Sequence, residues 1–334
     1  MNIGILGAGT WGIALARMLC LNGKKVTVWS AIESEIDGLN RDRTHPNLKG
    51  MVVPCDIEFT KDIKKALENQ DIIMFAVPSV FLRSTVSKAR PFIKDGQVIV
   101  DVAKGIEPHT MLTMSAVIED EINKDGLHGK VKVVALSGPT HAEEVALDMP
   151  TTIVSASKDK KARELVQEVF MNENFRVYTN SDILGVELSG ALKNIIALAS
   201  GISFGLGYGD NSKAALITRG IKEISALGVK MGAKAQTFNG LAGIGDLIVT
   251  ATSMHSRNNK AGQLIGQGYS VKDALEKVGM VVEGINAIPA AKELANKYGV
   301  ELPIVFAVDS VVNGGVSPKE AVKNLMERAK KDEH

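Results

Sequence analysis

The sequence has little of several features that mark whole classes of protein. Its 334 residues include two cysteines, Cys20 and Cys55, which form no CxxC pair. This excludes a disulfide framework and fits a reducing compartment. The formal net charge is only +1, so no overall field attracts the chain to nucleic acid or to acidic lipid. An anionic ligand would therefore need a local site.

Long apolar runs and metal-ligand spacings are also missing. There is no run of about eighteen apolar residues, so no membrane insertion is predicted. The chain enters an apolar run without a basic region or cleavage site, and we expect a cytoplasmic protein. Six histidines are scattered without ligand spacing, so no metal site is predicted. A GxSxG elbow, a Walker loop and a basic–aromatic stripe are absent, which argues against a hydrolase, a nucleotidase and a nucleic-acid-binding protein.

The first thirty residues carry the strongest motif. An apolar run at 3–6 stops at Gly7-x-Gly9-x-x-Gly12, a helical pattern follows at once, and a second apolar run covers 25–29. In a strand–turn–helix unit, Gly7 permits the tight turn, Gly9 lets backbone amides approach a pyrophosphate, and Gly12 lets helix and strand pack closely. The anion then lies at the helix N-terminus. This predicts dinucleotide binding; a glycine-rich turn without a ligand is the alternative.

Apolar runs alternate with helical patterns as far as about residue 179. The runs are continuous Val/Ile stretches, typical of strands covered on both faces in a parallel sheet. We predict an α/β fold, with a doubly wound Rossmann-type dinucleotide-binding domain at 1–179. An all-helical (all-α) substrate and catalytic domain is predicted at 180–334, because no convincing strand follows the capping residues near 180. The predicted strands are 3–6, 26–29, 72–77, 98–102, 131–136 and 152–155.

Two lysines are candidates for carbonyl reduction, which needs a proton donor at the oxygen and a substrate anchor. Lys193 lies in the very apolar helical pattern 188–197, where an ammonium is costly unless it faces a cleft or finds partners. Desolvation would lower its pKa and make it a better donor, whereas snorkelling to the surface is the alternative. Lys104 follows a predicted strand end, where doubly wound sheets bind ligands, although a solvated loop lysine fits equally well.

Two further segments in the second half suit an anionic substrate. Asp246 could cap a short helix through Val249, and it could also orient a catalytic lysine by a charge-assisted hydrogen bond. The sequence does not separate the two roles, and both can hold. Ser256, Arg257 and Asn258 precede an apolar helical run, and helix-start amides with an arginine fork suit a phosphate dianion. Charged residues at a helix start are at least as often simply solvated, so the Ser256-Arg257-Asn258 segment alone is weak evidence for a phosphate site.

With these residues in view, the chain resembles the bacterial-type NAD(P)-dependent glycerol-3-phosphate dehydrogenases over about residues 2–330. Besides the glycine loop, the resemblance rests on Ala103-Lys104-Gly105, Ser137-Gly138-Pro139-Thr140-His141-Ala142, Gly190-Ala191-Leu192-Lys193-Asn194, Ala242-Gly243-Ile244-Gly245-Asp246-Leu247, Ser256-Arg257-Asn258 and Val281-Val282-Glu283-Gly284. Many dehydrogenases share the glycine loop, but the combination is highly specific. It implies interconversion of dihydroxyacetone phosphate and sn-glycerol 3-phosphate with NAD(P)H, supplying glycerol 3-phosphate for phospholipid synthesis.

The resemblance also implies residue roles. Lys193 is the proton donor to the substrate carbonyl, with Lys104 and Asp246 as its catalytic partners. The other substrate-binding positions are Gly138, Thr140, Thr250, Ser256, Arg257 and Asn258, of which Arg257 reaches the phosphate. The cofactor-binding positions are Gly7, Gly9, Thr10, Trp11, Gly12, Lys104, Ala142, Arg257, Val281 and Glu283. We expect the Lys193 ammonium to face the nicotinamide, and we expect a homodimer without a metal.

One departure from the family bears on the choice of cofactor. Family members often carry a basic residue just after the second strand, where a 2′-phosphate would lie, but here Ala31 and Ile32 stand there. No acidic residue ends the strand, and Glu33 is displaced from it. NAD(H) is therefore favoured. NADP(H) stays possible, because Arg41 or Arg43 could reach in from the following helix.

Two other functions are weighed against this one. A two-domain dehydrogenase acting on a carboxylate, such as a β-hydroxyacid dehydrogenase, has no need of a phosphate socket at Arg257 and Asn258. A dinucleotide-sensing module without turnover would leave Lys193, Lys104 and Asp246 without a role.

Overall fold

The computed structural model describes residues 1–333, which form two compact units. The first unit comprises Met1–Glu107 and Leu112–Glu187. The second comprises Pro108–Met111 and the chain from Leu188 onward. The chain passes into the second unit inside a helix, several residues beyond 179. The predicted domain division at 179 and 180 remains a prediction.

The first unit is built on one eight-stranded sheet. Its strands are β1 (Asn2–Leu6), β2 (Lys25–Trp29), β3 (Glu58–Thr60), β4 (Ile72–Phe75), β5 (Val98–Asp101), β6 (Lys132–Ser137), β7 (Thr151–Ala156) and β8 (Phe175–Asn180). They lie in the order β3-β2-β1-β4-β5-β6-β7-β8. Neighbours pair in parallel except β6 and β7, which are antiparallel. The predicted Rossmann-type sheet is confirmed as mostly parallel rather than wholly so.

Helices cover both faces of this sheet. They are α1 (Thr10–Leu21), α2 (Glu33–Asp42), α3 (Ile63–Leu67), α4 (Ser79–Ala89), α5 (Met114–Ile122), α6 (Ala142–Val145) and α7 (Lys160–Phe170). Two apolar clusters result, with Ile3 and Ile5 in one and Leu6 in the other. Successive side chains alternate across a strand, so a strand buried on both faces has a continuous apolar sequence.

Two strands, β3 and β8, were not predicted, and both lie at the edges of the sheet. β3 has only three residues. In β8, Phe175 and Val177 are buried while Arg176 and Tyr178 are exposed. An edge strand with one solvated face shows alternation rather than an apolar run. The polar residues at the end of β8 therefore gave the prediction of helix-capping residues near 180.

The second unit is all-helical among the residues described after Leu188, as predicted. Its helices are α8 (Ile183–Gly205), which begins in the first unit, α9 (Asp210–Lys230), α10 (Ala235–Phe238), α11 (Asp246–Thr252), α12 (Arg257–Gly266), α13 (Val271–Val278), α14 (Glu283–Tyr298), α15 (Pro303–Val312) and α16 (Pro318–Met326). A π-helical turn, Leu241–Gly245, leads directly into α11.

Small residues let α8 and α12 approach closely. A Cβ added at Gly201 would lie 2.1 Å from the carbonyl oxygen of Asn259, and one at Gly262 would lie 2.2 Å from that of Leu198. Only glycine fits at these crossings. The close approach brings the polar residues on the two helices within hydrogen-bonding reach.

One described helix, α8, is long and apolar enough to cross a membrane by length and composition. However, 89% of its most apolar window is buried inside the protein. Buried core helices share this composition, so the feature is weak evidence for a membrane span.

Candidate active site

The glycine turn after β1 has the geometry of a phosphate-binding loop. Gly7 has φ +129°, a conformation that L side chains rarely adopt. A Cβ at Gly12 would lie 2.1 Å from the carbonyl oxygen of Gly7, so helix and strand could not pack so closely with a larger residue. Gly9 differs, since a Cβ there would meet no described atom within 4 Å. No protein packing therefore requires glycine at Gly9, and the space beside it suits an approaching ligand.

The start of α1 fits the pyrophosphate of a dinucleotide. Gly9 is the N-cap and provides no side-chain hydrogen bond, so the first-turn N–H groups remain suited to an anion. Thr10 Oγ1 is buried and has no hydrogen-bond partner within residues 1–333. A buried hydroxyl is costly when it has no partner, and a phosphate oxygen would supply one. Trp11, the next residue, packs against the core of the sheet domain.

Residues after β5 and β6 lie close together. Lys104 is partly buried, and its Nζ donates a hydrogen bond to the carbonyl oxygen of Gly138 at 3.2 Å. Thr140 Oγ1 donates to the same oxygen at 3.2 Å. Ala142 follows at the start of α6. Lys104 is therefore anchored to the neighbouring strand end and is not a fully solvated loop lysine.

Two buried carboxylates near this turn were missed by the sequence analysis. Asp101, the last residue of β5, accepts a hydrogen bond from the backbone N–H of Ala103 at 3.1 Å. Burial and the proximity of Glu187 raise the pKa of Asp101 well above its usual range. Glu187 accepts from the backbone N–H and the hydroxyl of Ser115, and burial raises its pKa too. Asp101 thus holds the turn that leads to Lys104.

Lys193 lies on α8 in the second unit and is only 5% exposed. Its ammonium donates hydrogen bonds to the carboxylate of Asp246 and, at 2.6 Å, to Thr250 Oγ1. Thr250 in turn donates to the backbone carbonyl of Asp246 at 2.7 Å, so its oxygen lone pairs remain for the lysine. The snorkelling alternative is wrong. The buried ammonium is held by an ion pair and a hydroxyl.

The π-helical turn places Asp246 for this contact. Gly245 is the N-cap of α11, and Asp246 is the first helical residue. Within the turn, a Cβ at Gly243 would lie 2.1 Å from the carbonyl oxygen of Phe238, so the chain can follow this path only with glycine. Asp246 therefore lies in the first turn of α11 and is not its N-cap, which makes no side-chain cap hydrogen bond, while its carboxylate accepts from Lys193.

The start of α12 differs in detail from its prediction. The helix begins at Arg257, earlier than the apolar run from 261 suggests. Ser256 is its N-cap and accepts a hydrogen bond from the backbone N–H of Asn259 at 3.2 Å. Arg257 is exposed, so its guanidinium is accessible to an anion in solution.

Asn258 connects three helices. Its side-chain amide donates to Asn194 Oδ1 at 3.0 Å and accepts from the backbone N–H of Gly284 at 2.8 Å. Asn194 follows Lys193 on α8 and was missed as a site residue; its place on an apolar helix was the available signal, because buried amides need partners. A Cβ at Gly284 would lie 2.5 Å from the carbonyl oxygen of Asn194. Val281 and Glu283 lie at this same start of α14.

The predicted site residues are divided between the two units. The first unit holds Gly7, Gly9, Thr10, Trp11, Gly12, Lys104, Gly138, Thr140 and Ala142, which suit a phosphate-bearing cofactor and an oxygen-rich ligand. The second holds Lys193, Asp246, Thr250, Ser256, Arg257, Asn258, Val281 and Glu283, which include a buried proton donor and an exposed cation. No group of three or more residues able to hold a metal ion occurs in the described part of the chain.

Comparison with known proteins gives a family for the whole chain. Residues 2–163 match the model of the NAD-dependent glycerol-3-phosphate dehydrogenase N-terminus, and residues 182–323 match that of the C-terminus. The chain is 66% identical over 332 residues to glycerol-3-phosphate dehydrogenase [NAD(P)+] 2 of Lactobacillus delbrueckii subsp. bulgaricus, covering 99% of this chain and 98% of the relative. It is 50% identical to the Bacillus subtilis enzyme of that name, covering 99% and 96%. The crystal structure of glycerol-3-phosphate dehydrogenase from Coxiella burnetii superposes with a TM-score of 0.93 at 36% identity, covering 98% and 99%. The chain belongs to the NAD-dependent glycerol-3-phosphate dehydrogenase family.

Proposed function

We propose that this enzyme interconverts dihydroxyacetone phosphate and sn-glycerol 3-phosphate with NADH, and that Lys193 transfers the proton. The buried contact of the Lys193 ammonium with Asp246 and Thr250 carries the proposal. An ammonium fixed in this way is a defined proton donor inside an otherwise apolar helix. A dinucleotide-sensing module would have no use for it.

The chemistry divides between cofactor and protein. The glycine turn and Thr10 would hold a nicotinamide dinucleotide, which would supply the hydride for the carbonyl carbon. Lys193 gives its proton to the carbonyl oxygen, and in the reverse direction it takes the proton from the hydroxyl. Asp246 and Thr250 hold the ammonium in one position. General acid catalysis of this kind contributes about 10²–10⁴-fold to rate.

Arginine and lysine side chains would bind the substrate. Arg257 is exposed at the start of a ten-residue helix, and its planar fork suits a phosphate dianion. Lys104, with Gly138 and Thr140 beside it, supplies a second cation and polar groups for the substrate oxygens. A carboxylate substrate would not need an arginine at a helix N-terminus.

NADH is the favoured cofactor in this proposal. The arginines that could have replaced the missing cation have other partners. Arg41 pairs with Asp42. Arg43 donates to the carbonyl oxygen of Ile57 at 2.7 Å, with its guanidinium 5.2 Å from the ring centre of Phe59. A 2′-phosphate thus finds no evident cation from α2.

In the cell we place the enzyme in the cytoplasm as a homodimer that supplies glycerol 3-phosphate for phospholipid synthesis. Family membership supports this role, since the full-length relatives bear the same enzyme name.

The phosphate anchor can be tested by following NADH absorbance with dihydroxyacetone phosphate and with unphosphorylated dihydroxyacetone. We expect kcat/KM to be at least about 100-fold higher for the phosphorylated substrate, since charge-assisted contacts to its phosphate are worth about 1.5–3 kcal/mol each. Arg257→Leu should remove most of this difference. The control, Lys260→Leu, deletes an exposed cation on the same helix and should leave it. Equal oxidation of NADH with both substrates would contradict the proposal.

A further inference from the structure

The end of β2 lies directly beside the glycine turn. β1 and β2 pair in parallel with Leu6 opposite Trp29. The backbone N–H of Gly7 donates to the carbonyl oxygen of Trp29 at 2.8 Å. The residue after β2, Ser30, is only 6% exposed. A side chain that is hydrogen-bonded to Ser30 therefore lies close to the phosphate-binding loop.

Ser30 holds the carboxylate of Glu35. Its Oγ donates to Glu35 Oε2 at 2.6 Å and accepts from the backbone N–H of Ile32 at 3.1 Å. The backbone contact fixes the hydroxyl, so that its single proton is directed to the carboxylate. Glu35 is partly exposed and can still reach a ligand.

Glu33, the acidic residue closer to the strand, is directed elsewhere. Its carboxylate pairs with Lys61 at 3.2 Å, and its side chain is 74% exposed. Lys61 also pairs with Asp37. The two glutamates of the first turn of α2 thus differ, since Glu35 is bonded to Ser30 at the end of β2 and Glu33 lies in a surface ion-pair cluster.

His45 interacts with both Glu35 and the glycine turn. Its imidazole is hydrogen-bonded to the backbone of Ala8 within the glycine turn, and the Glu35 charge acts on it. Nδ1 accepts from the backbone N–H of Asn47 at 3.2 Å. Burial lowers the pKa of His45 and so disfavours a positive charge on its imidazole. In the group formed by Ser30, Glu35 and His45, the carboxylate of Glu35 is therefore the charge that faces a ligand.

We propose that Glu35, oriented by Ser30, binds the hydroxyls of the adenosine ribose and excludes a 2′-phosphate. Acidic residues about twenty positions after the glycine motif accept ribose hydroxyl hydrogen bonds in NAD-binding sheets, and here the acid is displaced onto the helix after β2. A carboxylate accepts from a diol and repels a phosphate dianion. Glu35 is thus a specificity-determining residue. The inference rests on the proposed function, because it concerns the same cofactor.

The test is equilibrium binding of NADH and NADPH by calorimetry, without substrate. In wild type we expect tighter binding of NADH. Glu35→Gln should weaken NADH binding by about tenfold, as expected for a lost charge-assisted hydrogen bond, and leave NADPH binding unchanged or tighter. Ser30→Ala, which only frees the carboxylate, should shift the ratio of the two dissociation constants in the same direction by a smaller factor.

Glu33→Gln is the matched control, since it removes the same charge from the same helix turn but should leave the ratio at its wild-type value. An unchanged ratio in both Glu35→Gln and Ser30→Ala overturns the inference, as does an equal shift in Glu33→Gln. The proposed function fails separately, if wild type binds the dinucleotides as described but does not reduce dihydroxyacetone phosphate.

Discussion

At the scale of single residues, the central feature is an ammonium group buried in an apolar helix. Lys193 is 5% exposed and Asp246 is fully buried, so both charges have left water. Such a pair persists only when geometry and additional hydrogen bonds compensate the desolvation, and removing one partner typically costs about 3–5 kcal/mol. Thr250 supplies the additional bond. The three side chains form one unit whose members depend on each other.

Thr250 offers the least disruptive test of that unit. Thr250→Val keeps the volume of the side chain but removes the hydroxyl that accepts from Lys193, so the ammonium loses one of its fixed contacts. We expect kcat to fall by about tenfold or more, as for general acids that lose their position, with NADH binding unchanged. Thr250→Ser restores the oxygen and should recover most of the rate. Equal rates in the Val and Ser variants would show that the hydroxyl does not position the lysine.

Sequence reasoning found Lys193 because a lysine is anomalous in an apolar helical pattern. It did not find Asn194, Asp101 or Glu35, since the roles of these residues follow from partners distant in sequence. Asn194 meets Asn258, and Asp101 lies near Glu187. An amide on an apolar helix signals that a partner is needed, but no periodicity or spacing predicts which distant residue that partner is.

At the scale of helices, a buried carboxylate controls one junction in the second unit. Glu223 on α9 accepts hydrogen bonds from the backbone N–H of Ile304, at 3.0 Å to one oxygen and 3.1 Å to the other. It thereby satisfies first-turn N–H groups of α15, which have no intrahelical partner. Burial raises the pKa of Glu223 to about 7, although backbone N–H groups of Ile304 and Val305 and the charges of Arg328 and Arg219 oppose the shift.

This pKa predicts a pH dependence of stability. The folded state holds the proton more tightly than the unfolded chain, so the contribution of Glu223 is fully present below its unfolded pKa of about 4.5. It is lost as pH rises through about 7. A shift of this size is worth on the order of 3 kcal/mol. We therefore expect urea unfolding of wild type to show reduced stability at about pH 8 relative to about pH 5.

Glu223→Gln, which cannot ionise, should lose most of this pH-dependent component, because the amide oxygen still accepts from the helix start. Glu276→Gln removes an exposed glutamate on α13 and serves as the control. If the stability profile of Glu223→Gln parallels that of wild type across this range, Glu223 does not set the pH dependence.

Sequence patterns predicted the strands whose burial on both faces gives them a continuous apolar sequence. The inner strands are buried on both faces and appear as Val/Ile runs, so β1, β2, β4, β5, β6 and β7 were found. β3 and β8 were missed because edge strands carry polar residues. The antiparallel direction of β7 was also missed, since strand direction is set by the path of the connecting chain and leaves no mark on the composition of the strand.

At the scale of the whole molecule, the chain crosses between its two compact units after Glu107, Met111 and Glu187. The first unit contains the glycine turn, Lys104 and Glu35. The second contains Arg257 and Lys193 with its partners Asp246 and Thr250. The proposed reaction draws on both. Variants of the glycine turn should therefore affect cofactor binding first, and variants of the Lys193 group should affect proton transfer first.

The most direct test of the account is Lys193→Met, which keeps the apolar stem and removes only the ammonium group. Turnover of dihydroxyacetone phosphate and the dissociation constant for NADH are measured on the same preparation, beside Lys230→Met as an exposed-lysine control. We predict that kcat falls by at least about 100-fold, the contribution of a general acid, while NADH binding and the control variant match wild type. Turnover within a few-fold of wild type in Lys193→Met, with NADH binding intact, would contradict the claim that Lys193 donates the proton.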